Sequence, residues 1–370
     1  MSRTAYLDWN ATAPLRPEAI AAMIDALQRC GNPSSVHRFG REARRALEAA
    51  RMQVAALVGA PAASVVFTSG GTEANQLALR GVGDRAVVIS AIEHDSVRQA
   101  VPHARVISVT GSGLLDLATL ARLLDETAEP ALVSIMLANN ETGVIQPIAE
   151  AARLAHARGA LLHCDAVQAA GKLPLDMAVL GVDLLTLSAH KLGGPPGIGA
   201  LVVGADVPLA AHQTGGRQEC GRRAGTENLP GIVGFGAAAE IAAAQLGDWD
   251  RVGRLRDRIA QRLAATAPEA VVCGAAAPRL PNTLAIAMPG VPAATQVMAL
   301  DLAGVMVSAG AACSSGKVTR SHVLDAMGVP PAEAECAIRV SLGWSTSEAD
   351  IDQLVDAWGA LYARTRASAA

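Results

Sequence analysis

A cysteine among small residues is the first feature of this chain that suggests chemistry. Cys313 lies in the stretch VSAGAACSSGKVTRSHVL, residues 307–324, and its immediate neighbours are Ala and Ser, with Gly close by. A structural cysteine normally packs in an apolar core, where it behaves as a small hydrophobic residue. A thiol in a predicted loop of small residues is open to oxidation, and this cost usually has a chemical reason. The stretch therefore marks Cys313 as a candidate reactive residue.

Polar residues that follow predicted strands form a second candidate set. In LLHCDAVQAAGK, Asp165 comes directly after an apolar strand and Gln168 follows three residues later; in LLTLSAHKLGG, Ser188, His190 and Lys191 follow another. An Asp at this position could be a helix cap, a metal ligand or a charge partner, and the lack of a ligand cluster around it disfavours a metal. A solvated loop is the commoner place for a single lysine.

The stretch TSGGTEAN, residues 68–75, runs from a strand through paired glycines to Thr72, which opens a helix. Free backbone N–H groups at a helix start, together with the helix dipole, favour an anion. The alternative is a tight turn with a threonine N-cap. Taken together, a phosphate-binding helix start, a strand-end Asp165 and a strand-end Lys191 match the requirements of pyridoxal phosphate. The lysine would form a Schiff base, and the carboxylate would keep the pyridine nitrogen protonated.

The segments that must position these residues alternate between strand and helix. From about residue 60 to 205, short β-branched runs alternate with amphipathic segments rich in Ala, Leu and Arg. The predicted strands are SVVFTS, AVVIS, RVISV, LVSIMLA, ALLHCDA and LLTLSA; the helices between them include TEANQLALR, LATLARLLDETA and IAEAARLAHARG. This alternation predicts βαβ units and a mainly parallel sheet, in which ligands bind at the carboxyl ends of the strands.

The composition narrows the class of protein. Hydrophobic residues make up 51% of the 370 residues and aromatic residues only 2%, which suits buried parallel strands under Ala-rich helices. The net charge of −3 shows no basic excess, so nucleic acid and acidic membranes are disfavoured as partners. No apolar run reaches the roughly eighteen residues of a membrane span, and MSRTAYLDWN has no apolar signal-peptide core. The six cysteines include no CxxC pair or zinc-finger spacing, which indicates the reducing cytoplasm.

A different pattern follows the alternating region. A long helical stretch over roughly 234–268 leads to short strands, NTLAIAM and AIRVSLG, mixed with helices that end in EADIDQLVDAWGALYARTR. We predict a large α/β domain over residues 14–248 and a smaller α+β domain over residues 1–13 and 249–370. The stretch with Cys313 belongs to the smaller domain.

The motifs resemble those of one enzyme family almost from end to end. They are LDWNATAPLRPEA, NPSSVHRFG, FTSGGTEAN, EHDSV, ANNETGVIQPI, DAVQAAGK, SAHKLGGPPGIGAL, GGRQECGRRAGTEN, CSSG with SHVL, and IRVSLG. Each is weak alone, but in this order the chain resembles the cysteine desulfurases of the NifS/IscS type. These belong to the class V group of fold-type I pyridoxal phosphate enzymes. The resemblance implies a large domain with a mainly parallel seven-stranded sheet and a smaller α+β domain.

The resemblance also implies roles around the cofactor. Lys191 would bond it covalently, Asp165 would pair with the pyridine nitrogen, and Gln168 would hydrogen-bond the ring hydroxyl. His94 would stack on the ring and assist proton transfer, although a helix-capping or surface histidine is the alternative from the residues alone. The residues implied to bind the phosphate are Gly71, Thr72, Ser188 and His190, joined by Thr226 from the partner subunit.

For the substrate, the resemblance implies that Asn140 and Arg339 hold the carboxylate of L-cysteine. The planar fork of an arginine matches a carboxylate bidentately, whereas the alternative for Arg339 is a surface residue on an alternating strand. Cys313 matches the nucleophile that takes the substrate sulfur as a persulfide. Only a small fraction of a free thiol is ionised at neutral pH, so Cys313 needs local help or a proton transfer.

The implied partners are L-cysteine, a sulfur-acceptor or iron–sulfur scaffold protein, and a second copy of the chain in a homodimer. Neither direct contact with nucleic acid nor a membrane is expected. No intrinsic metal site is expected, and a transient role of Cys313 as an iron–sulfur ligand stays open. The alternatives are a selenocysteine lyase, another class V lyase, or a non-catalytic protein that kept the fold; Lys191, Asp165, His94 and Cys313 together argue against the last.

Overall fold

The computed structural model describes residues 4–310 and 320–369, with side chains up to residue 367. Cys313 lies outside the described residues. The strands are β1 (Ala5–Tyr6), β2 (Val65–Thr68), β3 (Ala86–Ser90), β4 (Arg105–Ile107), β5 (Ala131–Met136), β6 (Leu161–Asp165), β7 (Leu184–Ser188), β8 (Gly199–Val203), β9 (Val271–Val272), β10 (Thr283–Ala287), β11 (Val305–Met306), β12 (Ser308–Ala309) and β13 (Ala337–Ser341).

Helices of various lengths connect these strands. They are α1 (Pro17–Gln28), α2 (Arg38–Leu57), α3 (Gly71–Gly81), α4 (Asp95–Arg98), α5 (Leu117–Asp125), α6 (Ile148–His156), α7 (Met177–Leu180), α8 (Leu229–Ala244), α9 (Trp249–Thr266), α10 (Ala293–Leu302), α11 (His322–Ala326), α12 (Pro331–Ala334) and α13 (Glu348–Ala369). Short 3₁₀ turns occur at Ala62–Ser64, Ala189–Lys191, Gln218–Gly221 and Leu246–Asp248.

The largest sheet of the described residues has seven strands in the order β2-β8-β7-β6-β5-β3-β4. The pairs from β7 through β6, β5 and β3 to β4 are parallel, whereas β8 is antiparallel to both β7 and β2. The predicted mainly parallel, seven-stranded sheet is therefore confirmed. The short apolar run GALVV of β8, buried throughout, is the one strand of this sheet that the sequence pattern did not single out.

Both faces of this sheet are covered. Adjacent residues of β5 point to opposite faces, and Leu132 and Val133 accordingly belong to two separate buried apolar clusters. The larger cluster includes Val54 of α2 and Phe235 of α8, and the smaller includes Leu77 of α3. Because helices bury both faces, only the strand ends remain for polar side chains that must reach a ligand.

A second group of elements packs around a smaller sheet. Strands β12, β13, β10 and β9 form an antiparallel sheet in that order, and β1 pairs in parallel with β11. Their apolar side chains share a core with α9, α10 and α13, including Ile259, Leu300 and Trp358. The chain start thus packs with its C-terminal part. The division into a large domain over residues 14–248 and a small domain over residues 1–13 and 249–370 stays a prediction.

The helical stretch expected over 234–268 consists of two helices. The 3₁₀ turn Leu246–Asp248 separates α8 from α9. No single helix of the described part of the chain combines the length and apolar composition of a membrane span. Only the bent pair Leu229–Ala244 and Leu246–Thr266, with 59° between its halves, meets both criteria together.

Candidate active site

A cavity of about 580 Å³ opens where β6 and β7 of the large sheet end. We call its two sides the sheet wall, formed by the lining residues at or just after the ends of β2, β3, β6 and β7, and the carboxylate wall, formed by Asp8, Asn140 and Arg339. Predicted site residues that line the cavity are Gly71, Thr72, His94, Asn140, Asp165, Gln168, Ser188, His190, Lys191 and Arg339. Thr226 is exposed and lies outside this lining.

Asp165 is the last residue of β6, and both of its carboxylate oxygens are already bound. The backbone N–H of Val167 donates to Oδ1 at 2.9 Å, and the side-chain amide of Asn75 donates to Oδ2 at 2.8 Å. The residue is only 6% exposed. Two donors on a nearly buried carboxylate fix its position, so a negative charge is held at one place in the cavity.

Asn75 also links Asp165 to His94, a connection that the sequence analysis missed. The Asn75 amide donates to Ser96 Oγ at 2.8 Å, and Ser96 Oγ lies 2.8 Å from His94 Nδ1. The backbone N–H of Ser96 donates to the same Nδ1 at 3.1 Å, so Nδ1 accepts and the ring proton of neutral His94 sits on Nε2. His94 therefore both caps α4 and lines the cavity.

Lys191 follows β7 at the end of a 3₁₀ turn, and its ammonium is held by the N-terminal segment. Nζ donates to the carbonyl oxygen of Asn10 at 2.6 Å and to that of Ala11 at 2.7 Å. Burial, and then the charge of Arg339, lower the pKa of Lys191 to about 8, against the opposing effects of Asp8 and Asp165. A lowered pKa supplies more neutral amine near neutral pH, which a nucleophilic or basic lysine requires.

A second buried lysine provides a contrast. Lys172 Nζ donates to the carbonyl oxygen of Gln168 at 2.7 Å, and burial lowers its pKa to about 7, helped by the charges of Lys191 and Arg339. Lys172 is 4% exposed and does not line the cavity. Burial and a low pKa are therefore shared by both lysines, and access to the cavity distinguishes Lys191.

The start of α3 forms a site suited to an anion. Gly70 is the N-cap and no side chain caps the helix, so side chains do not block its first N–H groups. A Cβ on Gly71 would lie 3.0 Å from Val167 Cγ2 and 3.5 Å from Ser188 Cβ, so a side chain at this position would crowd Val167. Burial, and then Lys191 and Lys172, lower the pKa of His190 to about 4. His190 is therefore neutral at pH 7 and can hydrogen-bond an anion without adding a charge.

The carboxylate wall is built around Arg339 of β13. One terminal nitrogen, Nη2, donates to Asp8 Oδ1 at 2.7 Å, and the other, Nη1, donates to the carbonyl oxygen of Asn140 at 3.2 Å. The Arg339 Nε group is buried without a partner among the described residues. Arg339 is only 5% exposed, so the surface-residue alternative is wrong and its guanidinium faces the cavity.

The fold and this site define a pyridoxal-phosphate enzyme of fold type I, and comparison with known proteins gives its family. The family model "Aminotransferase class-V" matches residues 5–354. A cysteine desulfurase of Cereibacter sphaeroides is 47% identical over 366 residues, which are 95% of this chain and 94% of that protein. One of Trichormus azollae is 42% identical, over 98% of this chain and 94% of the relative. The X-ray structure of a NifS-like protein from Rickettsia africae ESF-5 has a TM-score of 0.91 at 35% identity, covering 98% of this chain and 100% of the other. The chain belongs to the aminotransferase class-V family, which confirms the resemblance.

Enzymes of this family depend on pyridoxal 5′-phosphate, and the cavity residues fit that group. Gln168 Oε1 and Arg339 Nε are buried polar atoms without partners, as expected where a ligand completes the hydrogen bonding. The uncapped start of α3 suits the phosphate, and the fixed carboxylate of Asp165 suits a protonated ring nitrogen.

Proposed function

We propose that this protein is a cysteine desulfurase that converts L-cysteine to L-alanine and retains the sulfur as a persulfide on Cys313. The observation that carries the proposal is that one cavity brings together the buried Asp165 and Arg339 and the half-buried Lys191. Asp165 ends β6, Arg339 lies on β13, and Lys191 ends the 3₁₀ turn that follows β7. The named activity of the relatives from Cereibacter sphaeroides and Trichormus azollae supports it.

The sheet wall would hold pyridoxal phosphate. Lys191 would attach it covalently, Asp165 would face the ring nitrogen, and Gln168 would reach the ring hydroxyl. The phosphate would be held by Gly71, Thr72, Ser188 and His190. When bound, the cofactor supplies an electron sink for charge that develops at the substrate α-carbon.

The protein itself would bind, orient and move protons. Arg339 and Asn140 would hold the α-carboxylate, which fixes the substrate relative to the sheet wall. The neutral amine of Lys191 would accept a proton, and His94 would offer the proton on Nε2. Because Nδ1 accepts a hydrogen bond from the backbone N–H of Ser96, this proton stays on Nε2.

The sulfur step is balanced without an added oxidant. The carbon–sulfur bond of L-cysteine breaks, and a sulfur–sulfur bond forms to the Cys313 sulfur. One equivalent of L-cysteine and one enzyme thiol give one L-alanine and one persulfide. The β-carbon gains one hydrogen as CH2 becomes CH3, and this balances the one hydrogen lost when two thiols become one persulfide. The persulfide sulfur would then pass to an acceptor protein for iron–sulfur cluster assembly, where a transient iron contact of Cys313 is part of the proposal.

A homodimer would complete the site. Thr226 is exposed in the segment that follows the 3₁₀ turn Gln218–Gly221, where it is accessible to the phosphate site of a second copy. Arg51 holds this turn through Glu219, with nitrogen–oxygen distances of 2.6 and 2.9 Å. Twofold dimers are the commonest oligomers. Sedimentation of an active monomer at assay concentration would contradict the shared site.

The cytoplasmic location of the protein stays a prediction.

The activity is tested by measuring both products from L-cysteine in the presence of a thiol reductant. We expect L-alanine and sulfide in equal amounts, and a loss of orders of magnitude in Cys313→Ala, whose methyl group cannot attack sulfur. L-selenocysteine serves as the comparison substrate. Release of selenium from it, with no sulfide from L-cysteine, would favour the selenocysteine lyase instead.

A further inference from the structure

An acidic side chain already occupies the arginine to which the substrate carboxylate is assigned. Asp8 Oδ1 lies 2.7 Å from Arg339 Nη2, and the two side chains are 20% and 7% exposed. Hydrogen bonds of neighbouring residues support this pairing, because the N–H of Ser341 donates to the Leu7 carbonyl at 2.8 Å and the Asn10 N–H donates to the side-chain Oγ of Ser341 at 2.9 Å. These contacts hold the two chain segments side by side, and both Asp8 and Arg339 line the cavity.

This ion pair has a physical cause in the free protein. A buried guanidinium without a counter-charge is strongly unfavourable, and Asp8 is the carboxylate bonded to it among the described residues. Glu141 also affects this region electrostatically, but it hydrogen-bonds Ser321 and burial raises its pKa. Asp8 is thus the group that neutralises Arg339 before a ligand arrives.

We propose that Asp8 is an internal stand-in for the substrate α-carboxylate and that it lowers the affinity of Arg339 for carboxylate ligands. This inference rests on the assignment of Arg339 to the substrate carboxylate in the proposed function. An incoming carboxylate places a second negative charge at one guanidinium, and like charges close together in a poorly solvated site repel each other. Asp8 therefore favours release of the amino acid product and keeps Arg339 oriented between turnovers.

Asp8→Asn removes the negative charge of the side chain but keeps its size and shape. The amide oxygen can still accept from Arg339 Nη2, so the guanidinium stays oriented while the negative charge is lost. We expect the Kd of the holoenzyme for L-alanine to fall about tenfold, or about 1.4 kcal/mol, because the repulsion between two negative charges at one guanidinium is removed. A residue with only a structural role would give weaker binding when replaced, never tighter binding.

Isothermal titration calorimetry of the holoenzyme with L-alanine measures this change. L-Alaninamide, which has the same amine and methyl group but no carboxylate, is the matched ligand and should not bind tighter to Asp8→Asn. Asp8→Glu keeps the charge and should not tighten L-alanine binding either. If Asp8→Asn does not fold, Asp8→Ser removes the same charge from a smaller side chain and should also lower the Kd.

Arg339→Lys separates failure of this inference from failure of the site assignment. If Arg339→Lys leaves the L-alanine affinity unchanged, Arg339 does not bind the carboxylate and the assignment in the proposed function is wrong. If Arg339→Lys weakens binding but Asp8→Asn leaves it unchanged or weaker, only the role of Asp8 is overturned. Tighter binding that occurs in Asp8→Asn and disappears in the double variant supports the inference.

Discussion

The two walls of the cavity satisfy their charged side chains differently. On the sheet wall, Asp165 accepts from two N–H donors and Lys191 donates to two carbonyl oxygens, so the hydrogen-bond partners of both side chains are uncharged groups. On the carboxylate wall, Arg339 is neutralised by Asp8 within the cavity lining and keeps a buried Nε without a partner. The side chains of the sheet wall are thus held in place by uncharged groups. On the carboxylate wall, a ligand carboxylate must share Arg339 with Asp8 or displace Asp8 from it.

This difference follows from where each wall sits in the fold. Parallel strands end at one edge, so residues that directly follow β6 and β7 are positioned by the core of the large sheet. The carboxylate wall combines the chain start, the loop after β5 and β13 of the smaller sheet. Changes on the sheet wall should therefore alter cofactor binding, and changes on the carboxylate wall should alter ligand affinity.

The largest effect is expected for Lys191→Ala. Loss of the amine removes the covalent attachment and a proton-transfer group, and proton transfer alone is worth about 10²–10⁴ in rate. Borohydride reduction followed by peptide mass analysis should find the cofactor on the Lys191 peptide of the wild type and on no peptide of the variant. Lys172→Met is the matched control, a buried lysine outside the cavity, and it should keep the cofactor on Lys191. Attachment at Lys172 instead would reverse the assignment.

A smaller loss is expected for Asp165→Asn, which removes the charge of the sheet wall while Lys191 can still bond the cofactor. Turnover should fall about 10²–10³-fold, the usual cost of losing one preorganised electrostatic partner.

Asn75→Ala keeps the carboxylate of Asp165 but removes one of its two hydrogen-bond donors. A hydrogen bond to a charged group contributes about 1.5–3 kcal/mol to stability, so the free energy of unfolding should fall by about that amount. Steady-state rates and cofactor absorbance check both variants. If turnover falls further in Asn75→Ala than in Asp165→Asn, the role of Asp165 does not depend on its charge.

These partners show how far the sequence could predict the site. Asp165, Gln168, Ser188, His190 and Lys191 were predictable because each ends an apolar strand or follows it within three residues, a pattern that is local in sequence. Asn75 was not, because its contact with Asp165 joins positions 90 residues apart and depends on how α3 packs.

Long-range pairing likewise explains the other omissions. Asp8 and Arg339 are 331 positions apart, and their contact depends on the pairing of the chain start with β13 and β11. Strand β8 was missed because it follows a glycine-rich stretch and is antiparallel, so no crossover helix marks it. Single-sequence patterns identify residues at strand ends, but they do not identify the neighbours that reach them from other elements.

The smallest effect concerns Glu141, beside the carboxylate wall. Its Oε2 accepts from Ser321 Oγ at 2.6 Å and would lie 2.9 Å from a Cβ on Gly310, so this carboxyl is hydrogen-bonded to Ser321 and lies beside Gly310. Burial raises the pKa of Glu141, against the Ser321 hydrogen bond and the charge of Arg339. The native state therefore binds this proton up to a higher pH than the unfolded chain does.

The sign of the pH dependence follows from this shift. Between the ordinary glutamate pKa of about 4.3 and the raised value, the native state binds more protons, so stability falls as pH rises through that window. In Glu141→Gln this fall should be absent, and the variant should be at least as stable as the wild type at pH 7. Glu141→Ala also loses the hydrogen bond with Ser321, and its free energy of unfolding should be lower by about 1–3 kcal/mol. Urea unfolding at several pH values measures the free energy of unfolding of each protein. If that of Glu141→Gln changes with pH as steeply as that of the wild type, the pH dependence does not come from Glu141.

The most direct test of the central claim is to locate the sulfur after one turnover. The holoenzyme is treated with L-cysteine without reductant, digested, and its six cysteine peptides are compared by mass spectrometry. We expect one extra sulfur atom on the peptide that contains Cys313, its loss on reduction, and its absence from Cys313→Ala. Extra sulfur on the buried Cys164 or Cys336, or release of L-alanine by Cys313→Ala at the wild-type rate, would contradict the account.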